Sequence, residues 1–179
     1  MTVGQTTAPI RLVVPFDEVP DLSGREFRGT WFSVDKEMLP LFDHVTYVDQ
    51  NPIPYDDEDY PEDLVEGFHL LSLLDHLANG LVAAEGDGWY GVNYGLDRVR
   101  FVTPVLAGTP IRLHGTVAEV RPKGDGHLLL LRCTVEVRGE ERPGFTADLW
   151  VLWLPTHDGS LHRASDPAPA REDIPGGTS

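Results

Sequence analysis

The longest apolar pattern in the chain opens at Gly67. From residue 68 to residue 84 it carries Leu70, Leu71, Leu73, Leu74, Leu77, Leu81 and Val82 with no proline. That is more than one narrow stripe holds, so the pattern predicts a helix buried on most of its circumference. Such a helix needs a wrapper, and after Gly86 the period changes to supply one. Residues 89–92 and 99–102 read as β, and 111–114 resume as 116–120 past Gly115, where a bulge is expected. Residues 127–138 alternate, with Leu129, Leu131, Cys133, Val135 and Val137 on one face and Arg132, Thr134, Glu136 and Arg138 on the other, which predicts a half-buried antiparallel strand. In 146–154, Leu149, Val151 and Trp153 oppose Trp150, Leu152 and Leu154, so both faces are apolar and the second needs a cover. Turn signals at 107–110, 123–126 and 138–140 are short, which favours antiparallel neighbours over crossover units.

Ahead of the helix the pattern is broken. Residues 1–30 mix Thr, Gly, Pro and charges around one apolar run, Ile10 with Leu12, Val13 and Val14, and predict an irregular arm with room for one strand. Asp35 is a candidate N-cap for a short helix over 36–44, with Met38, Leu39, Leu41 and Phe42 apolar and Pro40 limiting its length or kinking it. Residues 46–66 hold Pro52, Pro54 and Pro61 and predict a long loop, which in a compact domain is more often functional than idle. From Pro155 onward Pro, Gly, Ser, Asp and Ala dominate. The expected organisation is one domain over 1–154, its arm spanning about 1–30, and a flexible tail over 155–179. One buried helix followed by a run of antiparallel strands is α+β: a curved sheet wrapped around a long central helix, the arrangement called hotdog.

Composition narrows the partners. No stretch of the 179 residues is long and charge-free enough to span a bilayer, and the start lacks the compact apolar block of a secretory signal, so a cytoplasmic location is expected. The formal net charge of −15, much of it in Asp56, Asp57, Glu58, Asp59, Glu62, Asp63 and Glu66, argues against nucleic acid and anionic membranes as partners. The single cysteine excludes an intrachain disulfide and reads as a small buried hydrophobe. The seven histidines are scattered, and the acidic run matches no calcium loop, so no built-in metal site is expected.

Three stretches then point to a family. They are residues 30–35 (Thr-Trp-Phe-Ser-Val-Asp); Asp49-Gln50-Asn51-Pro52-Ile53 followed by residues 66–73 from Glu66 and Gly67; and residues 93–101 from Asn93 to Phe101 with Pro104, Val105 and Gly108. Between about Leu22 and Leu154 the chain resembles the MaoC-like hydratase/dehydratase family of hotdog-fold proteins. The resemblance implies a homodimer with helices back to back and a continuous outer sheet, which would also cover the second apolar face of 146–154. It implies a lyase that reversibly adds water to a 2-enoyl thioester to give an (R)-3-hydroxyacyl thioester. The acyl group would arrive on coenzyme A or phosphopantetheine as substrate, with no resident cofactor. In that family an Asp and a His five positions further on act together, and the Gly opening the central helix donates its N–H to the thioester oxygen. Asp49 and Gly67 match; the His position is Pro54, which offers no titratable nitrogen. Glu66 stands where many relatives have His, and Val48 where a Gly commonly precedes the Asp.

The chemistry needs a base near Cα, donors at the forming enolate oxygen, and an acid for the β-hydroxyl. Asp49 is the candidate acid/base, its carboxyl expected to be buried beside apolar walls, and Gly67 the oxyanion donor. His69, two positions into the helix, and His44, near the end of the preceding one, are candidate helpers. His69, Ser72, His76 and Asn79 lie on one side of the helix by spacing; Ser72, Asn51, Tyr55 and Tyr94 are candidate substrate contacts, alongside ordinary packing roles. Arg98 and Arg100 alternate with Asp97, Val99 and Phe101, and reach either a carrier phosphate or the acidic loop. With the family His replaced, two other readings stay open: an isomerase or cyclase of a polyketide-like intermediate using Asp49 alone, and a catalytically silent acyl-binding or heterodimer subunit.

Overall fold

The computed structural model describes residues 8–50 and 60–156. Along them run strands β1 (Leu12–Val14) and β2 (Glu26–Arg28), helices α1 (Met38–Val45) and α2 (Gly67–Ala78), and strands β3 (Val82–Ala84), β4 (Trp89–Phe101), β5 (Ile111–Lys123), β6 (Gly126–Val137) and β7 (Phe145–Pro155). Single 3₁₀ segments occupy Phe16–Leu22 and Val48–Gln50. Five strands form an antiparallel sheet in the order β2-β5-β6-β7-β4, so β5, β6 and β7 are a meander and β4 is an outer edge.

Strand β6 shows why the sheet packs as it does. Its alternating Leu129, Leu131, Cys133, Val135 and Val137 are all buried and share one core with Leu70, Leu74 and Ala78 of α2. Removing those side chains from water is the main term favouring this arrangement, at roughly 25 cal/mol per Å² of apolar surface. The result is the α+β hotdog fold that the periodicity predicts.

The structure departs from the sequence reading at several elements, each for a local reason. The apolar run over 68–84 is not one helix. Helix α2 stops at Ala78, and 82–84 become β3, which pairs in parallel with β1 through Leu12↔Val82 and Val14↔Ala84, all four buried. Both pieces point into the same core, so the hydropathy pattern does not mark the junction. Within one chain α2 buries His69, Leu70, Leu74 and Ala78, while Phe68, Ser72, Asp75, His76 and Asn79 are exposed. The helix is therefore covered on one side, not most of its circumference.

Gly115 is not a bulge. The register slip in the β5–β6 pair falls between Val117 and Glu119. A Cβ at Gly115 would lie 2.2 Å from the Arg132 carbonyl oxygen and 2.7 Å from the Phe27 ring, so close approach of β2 and β6 is what requires glycine there. The segments 89–92 and 99–102 are one strand, β4, with extra residues between Asn93 and Gly95 and between Asp97 and Arg100. The N-terminal arm is structured from residue 10 on: Leu12, Val19, Leu22 and Phe27 are core residues. Helix α1 begins at Met38 without a side-chain cap from Asp35, and Pro40 sits in its first turn, where a missing N–H is harmless.

The second face of β7 finds part of its cover within the chain. Trp150 and Leu152 lie beside Leu130 and Leu128 of β6, both buried; the Trp150 indole donates to Asp97 at 2.8 Å and carries the Arg121 guanidinium 4.8 Å from its ring centre. Among the described residues no helix is long and apolar enough to cross a membrane. The tail expected over 155–179 lies, from residue 157 on, outside the described residues.

Candidate active site

Helix α1 ends in a turn that reverses the chain. The Thr46 N–H and Oγ1 both donate to the Phe42 carbonyl, at 3.0 and 2.7 Å, and Tyr47 takes a left-handed φ of 63°. Glycine or asparagine usually fills that position after a helix; a tyrosine there costs about 1–2 kcal/mol. The turn throws Val48–Gln50 back over the end of α1, and Asp49 Oδ2 comes to 2.9 Å from His44 Nδ1. The pair is open to solvent: the His44 side chain is 74% exposed and that of Asp49 41%. The burial expected for Asp49 is therefore not found within a single chain. With the carboxylate ionised and accepting, the imidazole carries its proton on Nδ1, and Nε2 at the far side of the ring holds a free lone pair.

The other side of α1 docks on α2. The Phe42 ring stacks on His69, centroids 4.3 Å apart and planes 5° from parallel. His69 is 8% exposed, and burial lowers its pKa against a weaker upward pull from Asp43, so the neutral imidazole is what packs there. Glu66 heads α2 without a side-chain capping bond; burial and, less strongly, Asp43 raise its carboxyl pKa. His69 thus joins two helices, and the polar side of α2 is divided: His69 is buried, Ser72 Oγ donates to the His69 carbonyl at 2.7 Å, and His76 lies against the Phe32 ring.

Gly67 is the first residue of α2, where N–H groups lack intrahelical partners. A Cβ at Gly67 would meet the Phe101 ring at 3.0 Å, so glycine lets β4 close over the head of the helix. Beside it is a cavity of about 240 Å³ lined by Val65, Gly67, Leu70, Phe101, Pro104 and Val105. Asp49 is not among its lining residues. Two residues apart on α1, His44 and Phe42 project about 200° apart, so the Asp49–His44 pair faces away from the surface that docks on α2. The enclosed pocket expected between Asp49 and Gly67 is not formed by the described residues of one chain. Asn51, Pro54 and Tyr55 lie outside those residues.

Ser72 and Tyr94 are brought together. They line one groove of about 400 Å³ between α2 and β4, with Phe68, Leu71, Leu96 and Leu149 as its apolar walls. A second space of about 390 Å³ adjoins it, and the two share Asp75, Asn93 and Leu149; the Asn93 amide donates to Asp75 at 2.8 Å. Tyr94 stands under the Lys123 ammonium, 4.8 Å from its ring centre, and Lys123 lowers its phenol pKa by hydrogen bonding and by charge.

The expected alternation of Arg98 and Arg100 is broken by the bulge between Asp97 and Arg100, where Arg98 itself has a left-handed φ of 51°. Arg98 is paired with the buried carboxylate of Asp148, whose other oxygen lies 3.8 Å from Arg132 Nε. Arg100 donates to the Val99 carbonyl at 2.8 Å.

An antiparallel sheet over one helix defines a hotdog protein. The chain is 31% identical over 141 residues to nodulation protein N of Rhizobium leguminosarum bv. viciae, covering 75% of this chain and 87% of that protein. It is 29% identical over 149 residues to 3-hydroxyacyl-thioester dehydratase Z of Mycobacterium tuberculosis H37Rv, covering 78% of this chain and 97% of that protein. The structure of a MaoC-like dehydratase from Rhodospirillum rubrum matches the fold with a TM-score of 0.53 at 14% identity, over 75% of this chain and 94% of that one. No family model matches the chain. The protein belongs to the MaoC-like hydratase/dehydratase family.

Proposed function

We propose that the protein is a lyase that interconverts a 2-enoyl thioester and a 3-hydroxyacyl thioester by adding or removing water. One observation carries this reading: the residue at the family's acid/base position, Asp49, holds an imidazole partner at 2.9 Å despite the proline at position 54. The similarity to a 3-hydroxyacyl-thioester dehydratase over 97% of its length supports it. In this reading Asp49 marks the proton-transfer centre, and the oxyanion role of the Gly67 N–H requires the pair to turn from the outward position it holds in one chain toward the head of α2. Ser72 and Tyr94 flank the acyl chain in the groove. The acyl group is carried on coenzyme A or phosphopantetheine, and because Arg98 is committed to Asp148, Arg100 is the arginine assigned to a carrier phosphate.

The protein is further proposed to work as a homodimer. The supporting features are the β4 edge, unpaired among the described residues, the exposed Tyr90, Val92 and Leu96 along it, and the exposed Phe68 of α2 beside them.

The test follows loss of enoyl absorbance with crotonyl-coenzyme A and longer 2-enoyl thioesters, each run in parallel as its N-acetylcysteamine ester. The expected outcome is turnover that Asp49→Asn removes, and a lower KM for the coenzyme A ester that Arg100→Ala abolishes. Turnover no higher than that of Asp49→Asn with every thioester would exclude hydratase chemistry; an unchanged KM in Arg100→Ala would remove the phosphate contact.

A further inference from the structure

The acid/base centre contains two titratable groups, and their geometry divides the work between them. We propose that the proton is carried by Nε2 of His44, with Asp49 as the group that orients and charges the ring. The proposal rests on the hydratase reading above and specifies its central residue.

The argument starts from the hydrogen bond. Asp49 meets Nδ1, not Nε2, so the carboxylate fixes one tautomer and turns the basic nitrogen away from itself. A carboxylate that accepts from one ring nitrogen stabilises the imidazolium formed when the other takes a proton, a division of roles that recurs wherever histidine serves as general base. The backbone is bent to make this contact. Tyr47 in the left-handed region and the double return of Thr46 to the Phe42 carbonyl bring Asp49 back over the residue five positions before it. Departures of this kind persist where the surroundings hold them, and they cluster at functional sites.

Exposed apolar residues stand next to the pair. Leu41, Val45, Tyr47 and Val48, neighbours of the pair along the chain, are 53%, 69%, 67% and 41% exposed, so apolar side chains flank it in the sequence and stand open to solvent. The other nearby imidazole, His69, is packed against Phe42 and is not available. The sequence Asp49 to Pro54 supplies no imidazole downstream, whereas His44 supplies one upstream, so the chain order of the pair is reversed relative to the motif.

The reaction then balances without any further reagent. His44 Nε2 takes a proton from water as the water oxygen bonds to Cβ of the 2-enoyl thioester, and the C=C pair moves toward the carbonyl to leave an enolate. The imidazolium returns that proton to Cα, the C=O re-forms, and the product is the 3-hydroxyacyl thioester with the imidazole neutral again. Dehydration is the same path reversed.

The test compares wild type, His44→Gln, His44→Ala and Asp49→Asn in the enoyl-thioester assay across pH, with circular dichroism to establish that each is folded, as the exposure of His44 leads one to expect. His44→Gln should lower kcat by roughly a hundredfold or more while KM changes little, the size expected for loss of a general acid/base. The acidic limb of the wild-type kcat/KM profile should vanish with it, added imidazole should restore part of the His44→Ala rate, and the His44→Gln, Asp49→Asn double variant should be no slower than the worse single one. An active wild type with His44→Gln within twofold of it and the same pH profile would overturn the proposal and leave the hydratase reading standing. A wild type inactive on every thioester would overturn both.

Discussion

Cys133 sits in mid-β6 with its thiol donating to the Leu131 carbonyl at 3.6 Å, enclosed by the core. Burial, with a smaller contribution from the Asp148 charge, pushes the thiol up to about 12 from 9.0. The sign of the consequence follows from linkage. Above pH 9 the unfolded chain releases a proton that the folded chain keeps, so stability is full below 9 and falls as pH rises toward 12, by about 1.4 kcal/mol per unit. Between pH 8 and pH 10 the urea midpoint of wild type should therefore drop further than that of Cys133→Ala, by on the order of 1 kcal/mol after multiplying by the m value. Lysines and tyrosines titrate in the same range in both proteins and cancel in the comparison. Equal drops would mean that the thiol is reached by water. The buried carboxylate of Asp148 is partnered instead, with the guanidinium groups of Arg98 and Arg132 at its two oxygens, which is why a bulge that frees Arg98 from the strand's alternation is useful to the sheet.

At the scale of elements, the proposed site depends on the end of α1. If the left-handed residue at 47 is what holds Asp49 against His44, glycine should keep the turn and a β-branched residue should break it. Tyr47→Gly is expected to retain most of the hydration rate with little change in stability, whereas Tyr47→Val should lose rate to an extent close to that of His44→Gln while the far-ultraviolet spectrum is preserved. Two variants with the same rate would show that the turn does not position the pair. This is also the part of the site that sequence reading does not reach. Asp49, Gly67 and the 93–101 stretch are visible because their residue types and order are distinctive; His44 is visible only as a nearby imidazole, because Tyr at a left-handed position carries none of the signal that Gly or Asn would. The same holds for the fold. Strand β6 is legible from Leu131 to Val137 because a single face is buried there, so residue type and burial rise and fall together. The end of α2 is not, since Leu81, Val82 and Ala84 continue the apolar run while changing partner from the sheet to β1. Parallel pairing across about 70 residues of chain leaves no local mark.

The whole molecule poses the question of what covers β4. Among the described residues this 13-residue outermost strand offers a row of unpaired N–H and C=O groups, and its side chains at Tyr90, Val92, Tyr94 and Leu96 are exposed next to Phe68 of α2, which is 77% exposed. Natural edge strands are usually short, charged or bulged away from pairing; β4 has two bulges but keeps a regular register from Trp89 to Asn93, ahead of the first of them. A second copy adding through β4 would be self-complementary, placing the two α2 helices against each other and closing the groove that holds Ser72 and Tyr94. The charge of −15 per chain opposes that association, so it should tighten as salt rises from about 10 mM to 150 mM, where the screening length falls from roughly 30 Å to 8 Å. Native mass spectrometry and sedimentation are expected to give twice the 19.8 kDa chain for wild type. Phe68→Glu, which sets a charge at the centre of the joint, should shift the protein to monomer with its secondary structure intact and slow hydration by opening the groove of Ser72 and Tyr94 to bulk water. A monomeric wild type at micromolar concentration, or a Phe68→Glu protein that remains dimeric, would show that α2 and β4 are not the surface through which two chains meet.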